Sequence, residues 1–401
     1  MDFGERGSNA KTIVFIHGGY ANDFEIVKYS GSVFADLGFN VELVNVAAPD
    51  ISETINALLS TRLNEIFCFV SLNYYGALIR LGGQLLHRAT GVPLVFYLMD
   101  HPVYFLESQL PEYEGAIVFI PGRDLAEFVE TYYPRNPVAV DALVFCAPPF
   151  PVDAPSRDDF LGRRNAILAP MNLSIWDLTM DGIWDLIKQL PAERKTGVVR
   201  LIEAALEDCF TPLHVMAQRL RLAETIASWQ TIDIKPALDF VKLWRRNRMI
   251  RELIELPILV SSKYVPADLQ LKYPQKFTTH SIAETLPLYR RYRFVLNASP
   301  LMTYALHDRV MNSMCGNSVT ITDPNNWTAE VMTDEKDVLI YDYAAGTAAA
   351  KIARYIDDPD AAYQLTENAY DLRVRQNAFA TDSFEKLIGV VERRRAENPY
   401  L

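Results

Sequence analysis

The sequence predicts an α/β protein built from two parallel-sheet domains with a helical segment between them. Three observations lead to this: continuous apolar runs early in the chain, a proline-rich stretch after them, and a second set of apolar runs further on. At 401 residues the chain exceeds the roughly 250–300 at which a single core stops growing. Half of the residues are hydrophobic and 22% are charged, which is typical of large buried cores and not of disorder.

The first domain is predicted over residues 1–150. Its apolar runs are rich in β-branched and aromatic residues, and helix-like segments separate them. The runs read "TIVFIHG", "NVELVNV", "IFCFVSL", "PLVFYLMD", "GAIVFIPG" and "ALVFCAPP". Runs that are apolar throughout indicate strands buried on both faces of a parallel sheet. We therefore expect a doubly wound, Rossmann-like domain here.

A linker and a helical segment are predicted over residues 151–254. The stretch "PPFPVDAPSRDDFLGRR" gathers four prolines with several charges, which is typical of a connection between domains. After Ser174 the pattern becomes helical, because "VVRLIEAALEDCF" and "ALDFVKLWRRNRMIRELI" repeat apolar residues at steps of three and four. Two roles are open for this segment: contact with the acceptor substrate, or a surface for oligomerisation.

The second parallel-sheet domain is predicted over residues 255–375. Its strand signals are "PILVSS", "RFVLNAS", "SVTITD" and "DVLIYD", again separated by helix-like stretches. A final helical segment, residues 376–401, contains "SFEKLIGVVERRRAE". The chain thus repeats one architecture, alternating strand and helix, on either side of the helical segment.

Charge and cysteine content exclude several classes of protein. The chain has 39 basic and 50 acidic residues, a formal net charge of −11, which disfavours general binding to nucleic acid or to anionic membranes. Its four cysteines are far apart, so neither a zinc site nor a disulfide framework is expected. The first residues lack the apolar core of a signal peptide, and we expect a soluble cytoplasmic protein. The basic stretches "LWRRNRMI" and "ERRRAE" are interpreted as solvated helix faces, with a membrane-surface role as the alternative.

The first strand runs into His17, Gly18 and Gly19. A hydrolase with a His-Gly-Gly oxyanion loop also needs a G-x-S-x-G nucleophile elbow and a late histidine. The sequence contains no such elbow. The glycine pair is therefore interpreted as a turn at the carboxyl end of the sheet, where doubly wound folds bind ligands, or as a packing device.

The segment Arg290–Asn325, "RRYRFVLNASPLMTYALHDRVMNSMCGNSVTITDPN", combines several signals in order. A strand ending in "LN" is followed by a loop, "HDR", a helix with small residues, and a strand ending in "TITD". This series resembles the CgeB-like branch of the GT-B glycosyltransferases. The resemblance is good over about residues 281–358 and fainter over the first half, where strand order and "LMDHP" support it.

The resemblance implies a GT-B fold, in which two Rossmann-like domains face each other across a cleft and the last helix packs back on the N-terminal one. It implies transfer of a sugar from a nucleotide-sugar donor to a glycan, protein or small-molecule acceptor, without a cofactor. A guanidinium at a helix N-terminus suits a departing diphosphate, and no D-x-D lies in a plausible loop, so we expect no metal. The residues that the resemblance implies on the donor side are Asn297, His307, Arg309, Asn312, Thr322 and Asp323, and the glycine turn after the first strand adds Gly18 and Gly19.

Two positions depart from the family pattern. Asn312 stands where many relatives have an acidic residue, and Asn317 replaces a small one. A catalytically silent GT-B-like binding protein is therefore the alternative function, and an α/β-hydrolase-like esterase the third.

On the acceptor side, Asp100 and His101 follow a buried strand and are candidates for a general base, with His17 facing the same cleft. Asp before His-Pro also caps turns, which is the structural alternative. In "SLNYYG", the residues Asn73 to Tyr75 can stack on a sugar or belong to the core.

Overall fold

The protein is described by a computed structural model that covers residues 10–105, 117–132, 138–142, 153–174, 182–183, 187–188, 190–222, 231–299, 302–343 and 346–397. The chain divides into two compact units. Unit 1 consists of Met1–Pro149 with Asn377–Leu401, and unit 2 consists of Phe150–Gln376. Each contains a six-stranded parallel sheet, so the prediction of two parallel-sheet α/β domains is confirmed.

The described part of unit 1 contains eight strands: β1 (Thr12–His17), β2 (Asn40–Asn45), β3 (Ile66–Leu72), β4 (Arg80–Leu81), β5 (Gln84–Leu85), β6 (Leu94–Tyr97), β7 (Ile117–Pro121) and β8 (Val138–Ala142). The sheet order is β2-β1-β3-β6-β7-β8 with parallel pairing, and β4 and β5 form a separate antiparallel pair. The chain starts at β1, moves outward to β2 and returns to β3 on the other side. The strand order therefore reverses between β1 and β3, where open parallel sheets bind ligands at their carboxyl ends.

The helices of unit 1 are α1 (Ala21–Asp36), α2 (Ile51–Arg62), α3 (Leu86–Thr90) and α4 (Arg123–Tyr132). The end of the C-terminal helix also joins this core, because Phe384 packs edge-on against Phe34 with ring centroids 4.9 Å apart. Arg395 donates to the backbone oxygens of Ile66 and Phe67 at 3.1 and 2.7 Å. The last strand begins earlier than "ALVFCAPP" predicts, and residues 143–150 lie outside the described residues.

Unit 2 contains β9 (Arg164–Pro170), β10 (Ile258–Ser261), β11 (Phe277–Thr278), β12 (Tyr292–Leu296), β13 (Val319–Thr322) and β14 (Leu339–Ile340). Their order is β11-β10-β9-β12-β13-β14, again parallel. Strand β9 was not predicted, although it pairs with both β10 and β12 in the middle of the sheet. The chain moves outward from β9 through β10 to β11 and returns at β12. The point where the order reverses is therefore between β9 and β12.

The helices of unit 2 are α5 (Arg157–Gly162), α6 (Ala192–Glu207), α7 (Leu213–Arg219), α8 (Thr231–Leu253), α9 (Ala267–Lys272), α10 (Ile282–Thr285), α11 (Asp308–Cys315), α12 (Asn326–Val331), α13 (Ala348–Asp357) and the first part of α14 (Pro359–Glu397). The predicted helical segment thus contributes α6, α7 and α8. Within the described part of the chain, no helix is both long and apolar enough to span a bilayer.

The interpretation of "LWRRNRMI" as a solvated helix face is wrong. Arg245 and Arg246 on α8 are 2% and 8% exposed. Arg245 donates to the backbone oxygen of Ala205 on α6 at 2.7 Å, and its guanidinium lies 5.7 Å from the ring centroid of Tyr343. Arg245 is buried against α6 and the Tyr343 ring, whereas Arg246 donates to the backbone oxygen of Asn172 in the loop after β9 at 3.3 Å. These carbonyl and aromatic groups replace part of the water that the two guanidinium groups lose.

Candidate functional site

Helix α11 begins where the sequence predicts it, with His307 as its N-cap residue. The backbone N–H of Arg309 donates to His307 Nδ1 at 3.2 Å and to Asp308 Oδ1 at 2.8 Å. Burial lowers the pKa of His307, and Asp308 partly opposes this shift. Burial alone would raise the pKa of Asp308, but His307 and Arg309 lower it overall. The start of α11 therefore carries an ionised carboxylate and a neutral imidazole at pH 7.

Arg309 connects α11 to the middle of the sheet. Its Nε donates to the backbone oxygen of Pro170, the last residue of β9, at 2.7 Å, and its Nη1 lies 3.4 Å from His307 Nε2. Its Nη2 has no hydrogen-bond partner among the described residues. Helix α11 follows β12 in the chain, and Arg309 bonds from it to the end of β9. Arg309 therefore spans the point between β9 and β12 where the strand order reverses. Its Nη2 group remains available there as a hydrogen-bond donor.

A pocket of about 500 Å³ opens at the carboxyl ends of β9 and β10. Its lining residues come from the loops after both strands and from one face of α8: Asn172, Leu173, Ser174, Asp239, Lys242, Leu243, Arg246 and Tyr264. Arg246 donates to the backbone oxygen of Asn172 at 3.3 Å, and its charge contributes to the lowered pKa of His307. The pocket therefore lies beside the start of α11.

Lys242 and Arg246 are functional candidates that the sequence analysis missed. Lys242 forms an ion pair with Asp239 at 3.2 Å, so the pocket contains two cations and one carboxylate. The signal was present in the spacing, because residues four apart lie on the same face of a helix. Together with Arg309 they place three cations at one edge of the sheet, beside the carboxylates of Asp239 and Asp308.

The residues of the "LN" and "TITD" signals form a buried network. Asn297 Nδ2 donates to Thr322 Oγ1 at 3.0 Å, and Asp323 Oδ1 accepts the backbone N–H of Ser299 at 2.8 Å. Burial raises the pKa of Asp323, while the Arg245 charge opposes the shift. Asn297, Thr322 and Asp323 are all 0% exposed. They fix the loop after β12, and their direct contact with a donor stays a prediction.

Asn312 lies one turn after Arg309 on α11 and is 8% exposed. Burial raises the pKa of Tyr289, and the side chain of Asn312 beside its hydroxyl partly opposes this shift. Asn317 adopts a positive φ of 54° just after the helix, and its Nδ2 donates to the backbone oxygen of Asp153 at 3.4 Å. Both departures from the family pattern are therefore used in contacts within unit 2.

In unit 1, His17, Gly18 and Gly19 lie at the carboxyl end of β1. His17 is 2% exposed, and its Nδ1 accepts the backbone N–H of Gly19 at 3.1 Å. Burial lowers its pKa, partly opposed by Asp23. A Cβ on Gly18 would lie 2.3 Å from the ring of Tyr75, and Gly19 has a φ of +82°. The glycine pair therefore permits a close approach and a left-handed turn.

Asp100 and His101 follow β6 and differ in exposure. Asp100 is exposed, whereas His101 is 5% exposed and its Nδ1 accepts the backbone N–H of Val103 at 3.1 Å. The His101 ring packs edge-on against Phe128 at 5.0 Å. Only the carboxylate of the pair is thus at the surface, and the role of the pair as a base stays a prediction. Among the described residues, no three His, Cys, Asp or Glu side chains are grouped to hold a metal ion.

Residues 245–383 match the family described as glycosyl transferase-like. The matched region includes Arg246, Arg309 and the strands from β10 to β14. No curated protein matches the chain. The CgeB-like branch within the glycosyltransferases stays a prediction.

Two solved structures illustrate the likeness of the whole chain. Anabaena HepE in complex with UDP-glucose is 12% identical, with 94% of this chain and 99% of that chain covered and a TM-score of 0.48. Sucrose-phosphate synthase from Thermosynechococcus elongatus is 12% identical, with 95% and 99% covered and a TM-score of 0.47.

Proposed function

We propose that the protein is a glycosyltransferase that moves a sugar from a nucleotide donor to a hydroxyl of a glycan, protein or small molecule. One observation carries this proposal. Arg309 stands at the point of strand reversal in unit 2, at the start of α11 and beside a pocket that holds Lys242 and Arg246. The match of residues 245–383 to a glycosyl transferase-like family supports it.

The reaction requires stabilisation of a leaving diphosphate. The acceptor oxygen forms a bond to the anomeric carbon, the bond from that carbon to the diphosphate breaks, and the acceptor hydroxyl loses its proton. The departing nucleoside diphosphate takes the electron pair. Guanidinium and ammonium groups stabilise this charge without a metal ion, since each charge-assisted hydrogen bond is worth about 1.5–3 kcal/mol. In this proposal Arg309 and Lys242 supply them, and Asp100 accepts the proton.

The pocket suits the nucleoside part of the donor. Its volume of about 500 Å³ falls within the range of roughly 300–1,000 Å³ that is usual for small-molecule sites. Tyr264 at its rim is 44% exposed, so its ring can stack on a base. Asn172 and Ser174 offer amide and hydroxyl groups for the ribose. Under this assignment the buried residues Asn297, Thr322 and Asp323 support the site and Asn312 lies behind it.

A catalytically silent GT-B-like binding protein is the second candidate. The observation that favours it is the burial of Asn312, which is 8% exposed and has an amide where the family pattern has an acidic residue to hold sugar or ribose hydroxyls. Such a protein would bind nucleotide sugars and leave them intact.

A thermal-shift screen against UDP, GDP, CMP and dTDP sugars tests the donor site, because a ligand that binds only the folded state raises the melting temperature. We expect one nucleotide to stabilise the protein, and Lys242→Met to weaken its binding about tenfold. Lys272→Met is the matched control, since Lys272 pairs with Glu255 at the surface of unit 2, where its side chain is 69% exposed.

Turnover separates the two candidates. Release of the free nucleotide from the stabilising sugar donor is expected for the enzyme, first by slow hydrolysis and then faster with an acceptor; the product is a nucleoside diphosphate for UDP, GDP and dTDP sugars and CMP for CMP sugars. Binding without any release would favour the silent protein. If no nucleotide shifted the melting temperature at millimolar concentration, the donor site would be wrong.

A further inference from the structure

A row of three tyrosines lies at the carboxyl edge of the sheet in unit 1. Tyr20 follows β1, and Tyr74 and Tyr75 follow β3, so the row lies where the strand order of unit 1 reverses. We propose that this row binds a pyranose ring of a carbohydrate acceptor. The role of this sugar as an acceptor rests on the proposed function, whereas the binding of the sugar does not.

The three rings form a continuous surface. The centroids of Tyr20 and Tyr75 are 6.4 Å apart with planes inclined by 35°, and those of Tyr74 and Tyr75 are 5.2 Å apart with planes inclined by 37°. Tyr20 is 66% exposed, although an aromatic ring gains most by burial. A sugar ring placed on it would cover apolar area that the fold itself leaves in water.

The local sequence holds this row in place. Gly18 has no side chain, and a Cβ there would overlap the ring of Tyr75. Asn73 takes a positive φ of 47°, which turns the chain into the tyrosine pair, and its Oδ1 accepts the backbone N–H of Met99 at 2.8 Å. The rings are therefore positioned before a ligand arrives, which reduces the entropy lost on binding.

The charge at the row favours a neutral polyhydroxyl ligand. Asp23 Oδ2 accepts the backbone N–H groups of Gly18 and Tyr20 at 2.9 and 3.3 Å, and its Oδ1 has no hydrogen-bond partner among the described residues. Burial, with Asp23 adding to the shift, raises the pKa of Tyr75 to about 12. The lowered pKa of His17 leaves that ring neutral.

A phosphate or nucleotide would therefore be repelled by the Asp23 carboxylate. A purely apolar ligand would cover the carboxylate without satisfying it. A pyranose offers C–H faces for the rings and hydroxyls for Asp23 and the phenols. The arrangement of the tyrosine rings and the charge of Asp23 therefore both favour a carbohydrate ligand.

Saturation-transfer NMR with the full-length protein tests this proposal without any nucleotide. The probes are methyl α- and β-pyranosides of glucose, galactose, mannose and N-acetylglucosamine, with cellobiose and maltose as disaccharides. We expect at least one of these saccharides to bind. Tyr20→Ala should weaken its affinity about five- to tenfold, and Tyr20→Phe should retain most of the affinity. Phe210→Ala is the matched control, because Phe210 is an exposed aromatic residue of unit 2.

Three results would overturn the proposal: no transfer to any saccharide, equal binding by Tyr20→Ala and the unaltered protein, or binding of tetramethylammonium in place of sugars. Tyr20→Ala should keep the nucleotide-induced rise in melting temperature. If no nucleotide bound but sugar binding still depended on Tyr20, the glycosyltransferase function would fail and the carbohydrate site would stand.

Discussion

Replacing Arg309 by alanine removes two interactions that can be measured separately. Within unit 2, its Nε hydrogen bond to the backbone oxygen of Pro170 is lost, and a hydrogen bond from a charged donor contributes about 1.5–3 kcal/mol. In the proposed donor site, the remaining guanidinium donors would no longer reach the diphosphate. The same magnitude there corresponds to roughly a 10- to 150-fold loss of nucleotide affinity, because 1.4 kcal/mol is a factor of ten.

Titration calorimetry with the nucleotide that gives the largest thermal shift measures the second effect, and urea unfolding measures the first. Arg309→Lys should recover only part of the affinity, because an ammonium group cannot reproduce the guanidinium fork. Arg293→Ala is the matched control, since Arg293 also binds unit 2 backbone, donating to the oxygens of Phe160 at 3.1 Å and Leu161. It should lose stability and keep its affinity.

The reasoning fails if Arg309→Ala binds the nucleotide as tightly as the unaltered protein. It also fails if Arg293→Ala loses the same affinity, because the effect of Arg309 would then come from general loosening of unit 2. In either case Arg309 would be a structural residue that holds the end of β9.

Three further outcomes are expected. Gly18→Ala should lower the free energy of unfolding by about 1–3 kcal/mol in a urea titration, because its Cβ would overlap Tyr75; a neutral effect would show that the ring moves freely. Asp100→Asn should lower turnover more than donor affinity if Asp100 accepts a proton, and unchanged turnover would return it to a structural role. Burial lowers the pKa of His214 from 6.5 to about 4, so the unfolded chain binds more protons in this range and stability falls as pH drops from about 6.5 towards 4. At pH 5 this residue lowers the free energy of unfolding by about 2 kcal/mol. His214→Leu should therefore reduce the difference between the free energies of unfolding measured in urea at pH 7 and pH 5. An unaltered difference would assign the acid sensitivity to other groups.

The strands that the sequence predicts are those with long apolar runs, because burial on both faces leaves a continuous signal. Strand β9 lacks it. Its sequence "RNAILAP" begins with two polar residues, ends in proline and follows a proline-rich stretch, so local rules assign it to a linker. Its place in the middle of the sheet depends on pairing with β10 and β12, which are remote in sequence. Propensity within a short window carries no information about such pairing.

The same limit applies to the candidate site. The "HDR" signal located α11 and Arg309, because a cap, a helix and a basic residue are all local features. The burial of Arg246 was missed, since charged residues at helical spacing usually face water. The steric requirement for glycine at position 18 could not be predicted either, because the ring that occupies the space belongs to Tyr75, which follows a different strand.

The buried network after β12 and β13 shows how side chains without exposed surface position the start of α11. Asn297 and Thr322 are joined by a side-chain hydrogen bond, and Asp323 fixes the backbone of Ser299. These bonds link the ends of two neighbouring strands and hold the start of the loop that leads to α11. The direction in which Arg309 leaves that helix therefore depends on residues that are fully buried. Arg309 in turn holds the backbone oxygen of Pro170, so the loops after β9 and β12 constrain each other. A fixed geometry of this kind is what stabilisation of a developing charge requires, because donors that are already oriented need no reorganisation during the reaction.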